Sequence, residues 1–240
     1  MGVINPFLVD MLHIATANTG PQDNEIIYHL FESVRKHCSQ KFMLHVCNNV
    51  NNKPIKEFRT RNRKQIKIYT HIIKSAHSCN KHAAALNYLL NVLPRDNPIV
   101  ICDSDIYFTE HFDVRLDEIY NDSKCSFVAT ENSGYPLIPH PTIFYGPLHL
   151  LTDAGIDFSA VQVSGVTKPR GETGHKLAQF SNWARLTQKE WYKCGGKQTY
   201  AVYFKKHIIA FHFKSGRKFA NSSYFNEWKR MCSSYPEKIF

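Results

Sequence analysis

The segment Pro98–Phe108, with the sequence PIVICDSDIYF, constrains the fold of this chain more than any other stretch. Ile99 to Cys102 form an uninterrupted apolar run, which is typical of a strand buried on both faces of a parallel sheet. The run ends in two acids, Asp103 and Asp105. Because open α/β sheets bind ligands at the carboxyl ends of their strands, we expect both carboxylates to lie at a ligand site.

The spacing of these two acids predicts a metal site. Residues i and i+2 of an extended segment point the same way, so Asp103 and Asp105 can converge on one hard cation. A divalent cation held in this way can in turn hold a diphosphate. The alternative is a solvated turn that contains Asp-Ser-Asp by chance. The apolar strand before the acids favours the metal site.

The patterns before this segment alternate between strand and helix. Strands are predicted over Met11–Thr16, Phe42–Val46 and Ile66–Tyr69, with one helix beginning at Asn24 and a second, capped by Asn80, extending to Leu93. This order, β-α-β-β-α-β up to Asp103, predicts an α/β fold with a mostly parallel central sheet flanked by helices. The later predicted elements are a helix over Val114–Tyr120, strands over Ser126–Thr130, Thr142–Tyr145, Tyr200–Phe204 and Ile208–Phe213, and a helical stretch from His175 to about Ala184.

Composition sets the broad class of the chain. Its 240 residues, 43% hydrophobic, suffice for one sizeable core, and a single domain over residues 1–240 is expected. The scattered cysteines and the absence of a long apolar segment or of a convincing signal peptide predict a cytoplasmic protein with reduced thiols. The net charge of +10 favours anionic partners such as nucleotides, phosphates, nucleic acid or an anionic membrane surface.

The loop after the first strand is a candidate nucleotide pocket. Small residues follow Thr16, and small side chains let a base or ribose approach the backbone. Thr16 and Asn18 are therefore candidate nucleotide-binding residues. Neither a GxGxxG nor a GxxxxGK[ST] sequence is present, so the dinucleotide fingerprint and the P-loop are absent.

The stretch His82–Asp105 resembles the GT-A glycosyltransferases, most closely the broad family-2-like group. The matching features are a small-residue helix with Ala84, Ala85 and Asn87, and the apolar strand that ends in the DxD acids. His82 occupies the neighbourhood in which that helix usually carries Gly and Arg. The resemblance covers about residues 10–130 in element order and implies a nucleotide-sugar-binding half there, with an acceptor-binding half over about 131–240.

The resemblance implies a nucleotide-sugar donor, such as a UDP- or GDP-sugar, bound through Mn²⁺ or Mg²⁺. Asp103 and Asp105 would hold the metal, and Asp103, Ser104 and His82 would lie against the donor. Many enzymes of this kind have a late histidine that completes the metal shell, and His212 follows a predicted strand as that role requires. Arg217 and Lys218 could neutralise the leaving phosphates.

Glu172, between two glycines before a predicted helix, is the candidate catalytic residue. It resembles the acid that inverting GT-A enzymes place below the acceptor, where a carboxylate accepts the proton of the acceptor hydroxyl. The alternative is that Glu172 only favours the helix N-terminus. If Glu172 is not the base, either the enzyme is a retaining one or another acid, such as Asp153 or Asp157, takes the role.

The function predicted is metal-dependent transfer of a sugar, most simply a hexose, to a glycan or another hydroxyl acceptor. A sugar nucleotidyltransferase of similar fold is an alternative, although no Gly-rich loop with a catalytic cation follows the first strand. A dehalogenase-type phosphotransferase also uses DxD, but on its first strand. A non-catalytic nucleic-acid-binding protein would explain the charge and the basic run Lys53–Lys67, yet no nucleic-acid-binding signature is present and nucleic acid is not the expected partner.

Overall fold

The computed structural model of the chain describes residues 11–18, 23–48, 62, 64–71, 78–95, 97–109, 111–131, 139–158, 175–194, 197–213 and 223–235. Within them the strands are β1 (Leu12–Asn18), β2 (Phe42–Asn48), β3 (Ile66–Thr70), β4 (Pro98–Cys102), β5 (Ile106–Phe108), β6 (Phe127–Glu131), β7 (Pro139–Pro147), β8 (Trp183–Cys194), β9 (Lys197–Phe204) and β10 (His207–His212). The helices are α1 (Asp23–His37), α2 (Ser78–Val92), α3 (Phe112–Ser123), α4 (Leu148–Asp153) and α5 (Ser223–Ser233), with a 3₁₀ turn at His175–Gln179.

The strands form one mixed sheet in the order β3-β2-β1-β4-β7-β6-β8-β9-β10-β5. The α/β class is confirmed, and the segment β3-β2-β1-β4 is parallel throughout, as the sequence predicts. Beyond β4 the sheet is mainly antiparallel, because β7 runs back along β4 and the β8–β9–β10 meander continues to β5. Parallel pairing therefore describes one half of the sheet rather than most of it.

Helices α1 and α2 cover opposite faces of the parallel strands. The strands between them, β1, β2 and β4, are buried almost throughout, which explains their near-continuous apolar sequences. Both helices carry the apolar stripes predicted from the sequence. The buried residues of the α1 stripe are Ile27, Leu30, Phe31 and Val34. Those of the α2 stripe are Ala83, Leu86 and Leu90, and Leu93, directly after the helix, is buried with them.

Two local predictions were wrong. Helix α2 begins at Ser78, so Asn80 lies in its first turn and is not its cap. The helical stretch predicted up to Ala184 ends as a 3₁₀ turn at Gln179, and β8 begins at Trp183. Pairing with β6 and burial of alternate residues of β8, Ala184 and Leu186, impose the extended conformation there.

The C-terminal helix α5 covers the far part of the sheet and was not predicted. Its buried residues Phe225, Trp228 and Cys232 pack with Phe211 and Phe213 at the end of β10. This aromatic cluster anchors the end of β10, which matters because β10 carries His212. No helix in the described part of the chain is long and apolar enough to span a membrane.

Candidate active site

The two acids lie in a turn that joins β4 to β5, and the backbone clamps this turn on both sides. The amide of Asp103 donates to the carbonyl of Thr142 (3.1 Å), which extends the β4–β7 pairing by one residue. The carbonyl of Asp105 accepts from the amide of Phe213 (3.0 Å), which extends the β5–β10 pairing. The carboxylates therefore converge through a clamped turn, and not through the extended geometry that the sequence suggested.

Strand pairing brings His212 to the same turn. In the register of β10 against β5, His212 lies opposite Ile106, the residue after Asp105. Its Nε2 atom is 3.3 Å from Asp105 Oδ1 and 3.8 Å from Asp103 Oδ2. One ligand atom from each of the three residues lies within 4.8 Å of the others. The structure thus gathers the three residues that the sequence analysis named as metal ligands.

Asp103 is oriented by contacts to both of its carboxylate oxygens. The buried hydroxyl of Thr142 donates to Oδ2 at 3.0 Å, and Nε2 of His82 lies 3.4 Å from Oδ1. His82, proposed from the sequence to lie against the donor, therefore contacts the DxD directly. Its side chain is 10% exposed and that of Asp103 is 18% exposed, so this pair lies at the boundary between core and solvent.

The donor set fits a hard or borderline divalent cation. Carboxylate oxygens suit Mg²⁺ and Mn²⁺, and an imidazole nitrogen shifts the preference toward the transition metal. Two ligands about 2.1–2.2 Å from one ion can be at most about 4.4 Å apart, so the separations of 3.3 and 3.8 Å between His212 Nε2 and the two carboxylates are compatible with one shared ion. Burial, and then the charges of Asp103 and Asp105, raise the pKa of the Cys102 thiol well above its ordinary value, so this neighbouring sulfur stays protonated.

The ends of β1 and β2 place further polar groups at the same edge of the sheet. Thr16, Asn18 and Asn48 are fully buried, and Asn18 lies opposite Asn48 in the β1–β2 register. The Asn18 amide donates to Asn24 Oδ1 at 3.4 Å. The Thr16 hydroxyl and both polar atoms of the Asn48 amide have no hydrogen-bond partner in the described part of the chain. Buried unpaired groups cost about 1–3 kcal/mol each, so the unpaired Thr16 and Asn48 groups favour a polar ligand at the ends of β1 and β2.

Sequence reasoning missed four residues near the site. Asn48 was included only in a polar loop, and Thr142 only in a strand. Gln188 contacts His212 from β8, a strand that was not predicted. Strand β7 is antiparallel to both β4 and β6, so β4 and β6 run in the same direction. Glu131 is the last residue of β6, which places it at the same edge of the sheet as Asp103. Alternation along the strands would have shown Thr142 and Glu131, but Gln188 required the correct assignment of β8.

Other predicted residues lie elsewhere or outside the described residues. Ser104 is buried within the DxD turn. Helix α4 directly follows the end of β7, and this end pairs with the start of β4. Asp153, the last residue of α4, is therefore at the opposite edge of the sheet from Asp103 and cannot be the base. Asp157 is ion-paired with Lys176 at 2.7 Å. Glu172, Arg217, Lys218 and most of Lys53–Lys67 lie outside the described residues.

Comparison with solved structures identifies the fold class. No family model matches the chain, and no curated protein sequence matches it. The chain resembles S. aureus TarS 1-349 in complex with UDP-GlcNAc (TM-score 0.53, 11% identity, 77% of this chain and 60% of that one). It also resembles the glycosyltransferase GlyE of Streptococcus pneumoniae TIGR4 (0.53, 12%, 74% and 45%) and the Pyrobaculum calidifontis mannosyltransferase PcManGT in complex with GDP-Man and Mn²⁺ (0.51, 12%, 75% and 55%).

These matches confirm the predicted resemblance to GT-A glycosyltransferases at the level of the fold. This chain spans less than two thirds of the length of each of those structures. At such low identity the likeness establishes the fold alone.

Proposed function

We propose that the protein is a metal-dependent glycosyltransferase that moves a sugar from a nucleoside-diphosphate sugar to a hydroxyl acceptor. The observation that carries this proposal is the Asp103–Asp105–His212 cluster at the carboxyl edge of the parallel strands. The fold supports it, because structural neighbours were solved with UDP-GlcNAc or with GDP-Man and Mn²⁺. A hexose donor and a glycan acceptor are the finer proposals.

Asp103, Asp105 and His212 would hold Mn²⁺, or Mg²⁺ in its place. Such an ion supplies Lewis-acid stabilisation of the charge that develops on the leaving diphosphate. Thr142 and His82 keep the Asp103 carboxylate turned toward the cluster. Because the turn is clamped by β7 and β10, the carboxylates are oriented before any ligand arrives, which lowers the entropic cost of binding.

The nucleoside would lie over the ends of β1 and β2. Thr16 and Asn48 offer buried hydrogen-bonding groups there, and β1 is the neighbour of β4 in the sheet. Adjacent strands are about 4.8 Å apart, so one ligand can reach the carboxyl ends of both β1 and β4. Arg217 and Lys218 are proposed to neutralise the diphosphate, and Ser104 and Asn18 to line the donor site.

Glu172 is the proposed general base. Glu172→Gln keeps the shape of the side chain and removes its basicity, so donor binding should persist while transfer falls by about 10²–10⁴-fold. Transfer at the wild-type rate would exclude Glu172. Glu131, a further carboxylate at the same edge of the sheet with Arg185 Nε 3.5 Å from its Oε2, would then be substituted next. If transfer is unchanged in both variants, Asp157 is the next residue to substitute, and unchanged transfer in all three variants would indicate a retaining reaction.

The test of the proposed function is a thermal-shift screen of nucleoside diphosphates and nucleotide sugars, with and without Mn²⁺. A ligand at 100 times its dissociation constant adds about 2.7 kcal/mol to the stability, which such a screen detects. We expect stabilisation by a UDP or GDP compound that requires the metal. Stabilisation by RNA or DNA alone, with a steep salt dependence, would instead support a nucleic-acid-binding protein.

Two further parts of the proposal concern location. The net charge of +10 supports peripheral contact with an anionic membrane surface, and cytoplasmic location is proposed with it. Co-sedimentation with vesicles that contain anionic lipid, compared with neutral vesicles, tests the membrane contact.

A further inference from the structure

Gln188 contacts the side of the His212 ring that faces away from the acids. The amide oxygen of Gln188 lies 3.0 Å from Nδ1 of His212, whereas Nε2 faces Asp103 and Asp105. An amide oxygen accepts hydrogen bonds and cannot donate them, so Nδ1 carries the proton in this contact. In the neutral ring the lone pair is then on Nε2, which is the atom nearest to both carboxylates.

The meander β8–β9–β10 sets this contact. Gln188 pairs with Val202 on β9, and Val202 pairs with Ala210 on β10, so these three side chains share one face of the sheet. His212 is two residues beyond Ala210 and shares that face. Gln188 therefore reaches His212 across β9 from a part-buried position.

We propose that Gln188 is a positioning residue of the metal centre. It holds His212 in the Nδ1–H tautomer and keeps the Nε2 lone pair turned toward Asp103 and Asp105. Ligating histidines generally need such a partner on the second nitrogen, and loss of that partner typically lowers metal affinity by about 10–100-fold. The inference rests on the proposed function, because it assumes that the three-residue cluster binds a cation.

A structural role for Gln188 makes a different prediction. If Gln188 only packs between strands, its replacement should disturb the site equally whether or not His212 is present. If it acts through His212, its effect should vanish once His212 is removed. A double-mutant cycle separates these cases, because only residues that act through one another give non-additive losses.

The experiment is calorimetry of Mn²⁺ binding to the full chain. Gln188→Met keeps the length of the side chain and removes the strong acceptor, so we expect about 10–100-fold weaker binding. In a His212→Ala background the same change should cost less than about twofold. Gln188→Glu restores an acceptor for Nδ1–H. This variant should bind Mn²⁺ at least tenfold more tightly than Gln188→Met. Gln198→Leu on β9, where Gln198 bonds Glu190, is the matched control and should bind as wild type.

Each outcome decides the question. Equal losses from Gln188→Met in both backgrounds, or no loss in either, overturn the positioning role while the metal centre stands. Failure of the wild-type protein to bind Mn²⁺ or Mg²⁺ overturns the metal centre itself, and the role of Gln188 with it. If Gln188→Met does not fold in a melting experiment, Gln188→Glu decides, because a drop to the affinity of His212→Ala would refute the proposal.

Discussion

His45 should make the stability of this protein depend on pH, and the substitution His45→Gln should remove this contribution. Its ring, on β2, is 1% exposed, with Nε2 2.8 Å from His13 Nδ1 and Nδ1 3.0 Å from the Tyr69 hydroxyl. Burial, with smaller contributions from the charges of His13 and Lys67, lowers the pKa of His45 from 6.5 to about 3. The folded protein therefore keeps this imidazole neutral under mildly acidic conditions.

The direction of the effect follows from the proton balance. In the unfolded chain the pKa of His45 returns to about 6.5, so between about pH 6.5 and 3 the unfolded state binds one more proton than the folded state. The contribution to stability is complete above about pH 6.5 and is lost as the pH falls toward 3. At pH 5.0 the loss is 1.5 pH units at about 1.36 kcal/mol per unit, or about 2 kcal/mol.

Urea unfolding at about pH 7.5 and pH 5.0 measures this loss. In His45→Gln the side chain cannot titrate but still offers polar atoms to His13 and Tyr69. The wild type should lose about 2 kcal/mol more than this variant between the two pH values. Any packing cost of the substitution is common to both pH values and cancels. Equal losses in the two proteins would refute the argument.

His29 provides an independent check. Burial, and then the charge of Lys229, lower the pKa of His29 to about 3, and its ring packs against Tyr107 and Trp228 at centroid distances of 4.7 and 5.1 Å. His29 is on α1 and packs against Tyr107 and Trp228, whereas His45 contacts His13 and Tyr69. Because the two histidines share none of these partners, their effects on the free energy of unfolding should add. Between pH 7.5 and pH 5.0, the double variant His29→Gln, His45→Gln should therefore lose about 4 kcal/mol less stability than the wild type.

Three predictions concern the candidate metal centre. Asp105→Asn should abolish Mn²⁺-dependent binding of a nucleoside diphosphate in calorimetry without lowering the melting temperature, and unchanged Mn²⁺ dependence would exclude Asp105 as a ligand. His212→Ala should weaken Mn²⁺ binding less than Asp105→Asn, because it removes a neutral ligand and leaves both carboxylates; the reverse order would contradict this assignment. Thr142→Val, which keeps the shape of a buried side chain but removes the 3.0 Å hydrogen bond to Asp103, should weaken Mn²⁺ binding by about tenfold or more, and wild-type affinity would show that the bond does not orient the carboxylate.

The parts of the fold that could be predicted are those set by local sequence. The apolar run of β4 and the stripes of α1 and α2 each bury their side chains against neighbours in a repeating pattern. The acids Asp103 and Asp105 could be placed at the ligand edge of the sheet because they directly follow a buried strand. None of these inferences required knowledge of how distant segments pair.

The parts that failed depend on tertiary pairing. Strand β8 is largely exposed over residues 187–193, so its apolar periodicity is weak, and its extended conformation comes from hydrogen bonding to β6 and β9. Gln188 could not be assigned a role while β8 was unknown. The antiparallel pairing of β7 with β4 could not be predicted either, because a short apolar run does not indicate in which direction the neighbouring strand runs.

The position of the DxD turn explains why the site combines a predictable half with an unpredictable one. β4 lies within the sheet, whereas β5, three residues further on, is hydrogen-bonded to β10 at the end of the strand order. Asp103 is consequently fixed by β7, and Asp105 and His212 are fixed by the pairing of β5 with β10. Substitutions within β8–β10 can therefore alter the candidate metal centre without touching Thr16 and Asn48, the proposed nucleoside contacts at the ends of β1 and β2. Substitutions at Thr16 or Asn48 should accordingly weaken binding of the nucleotide while the affinity for Mn²⁺ alone stays unchanged.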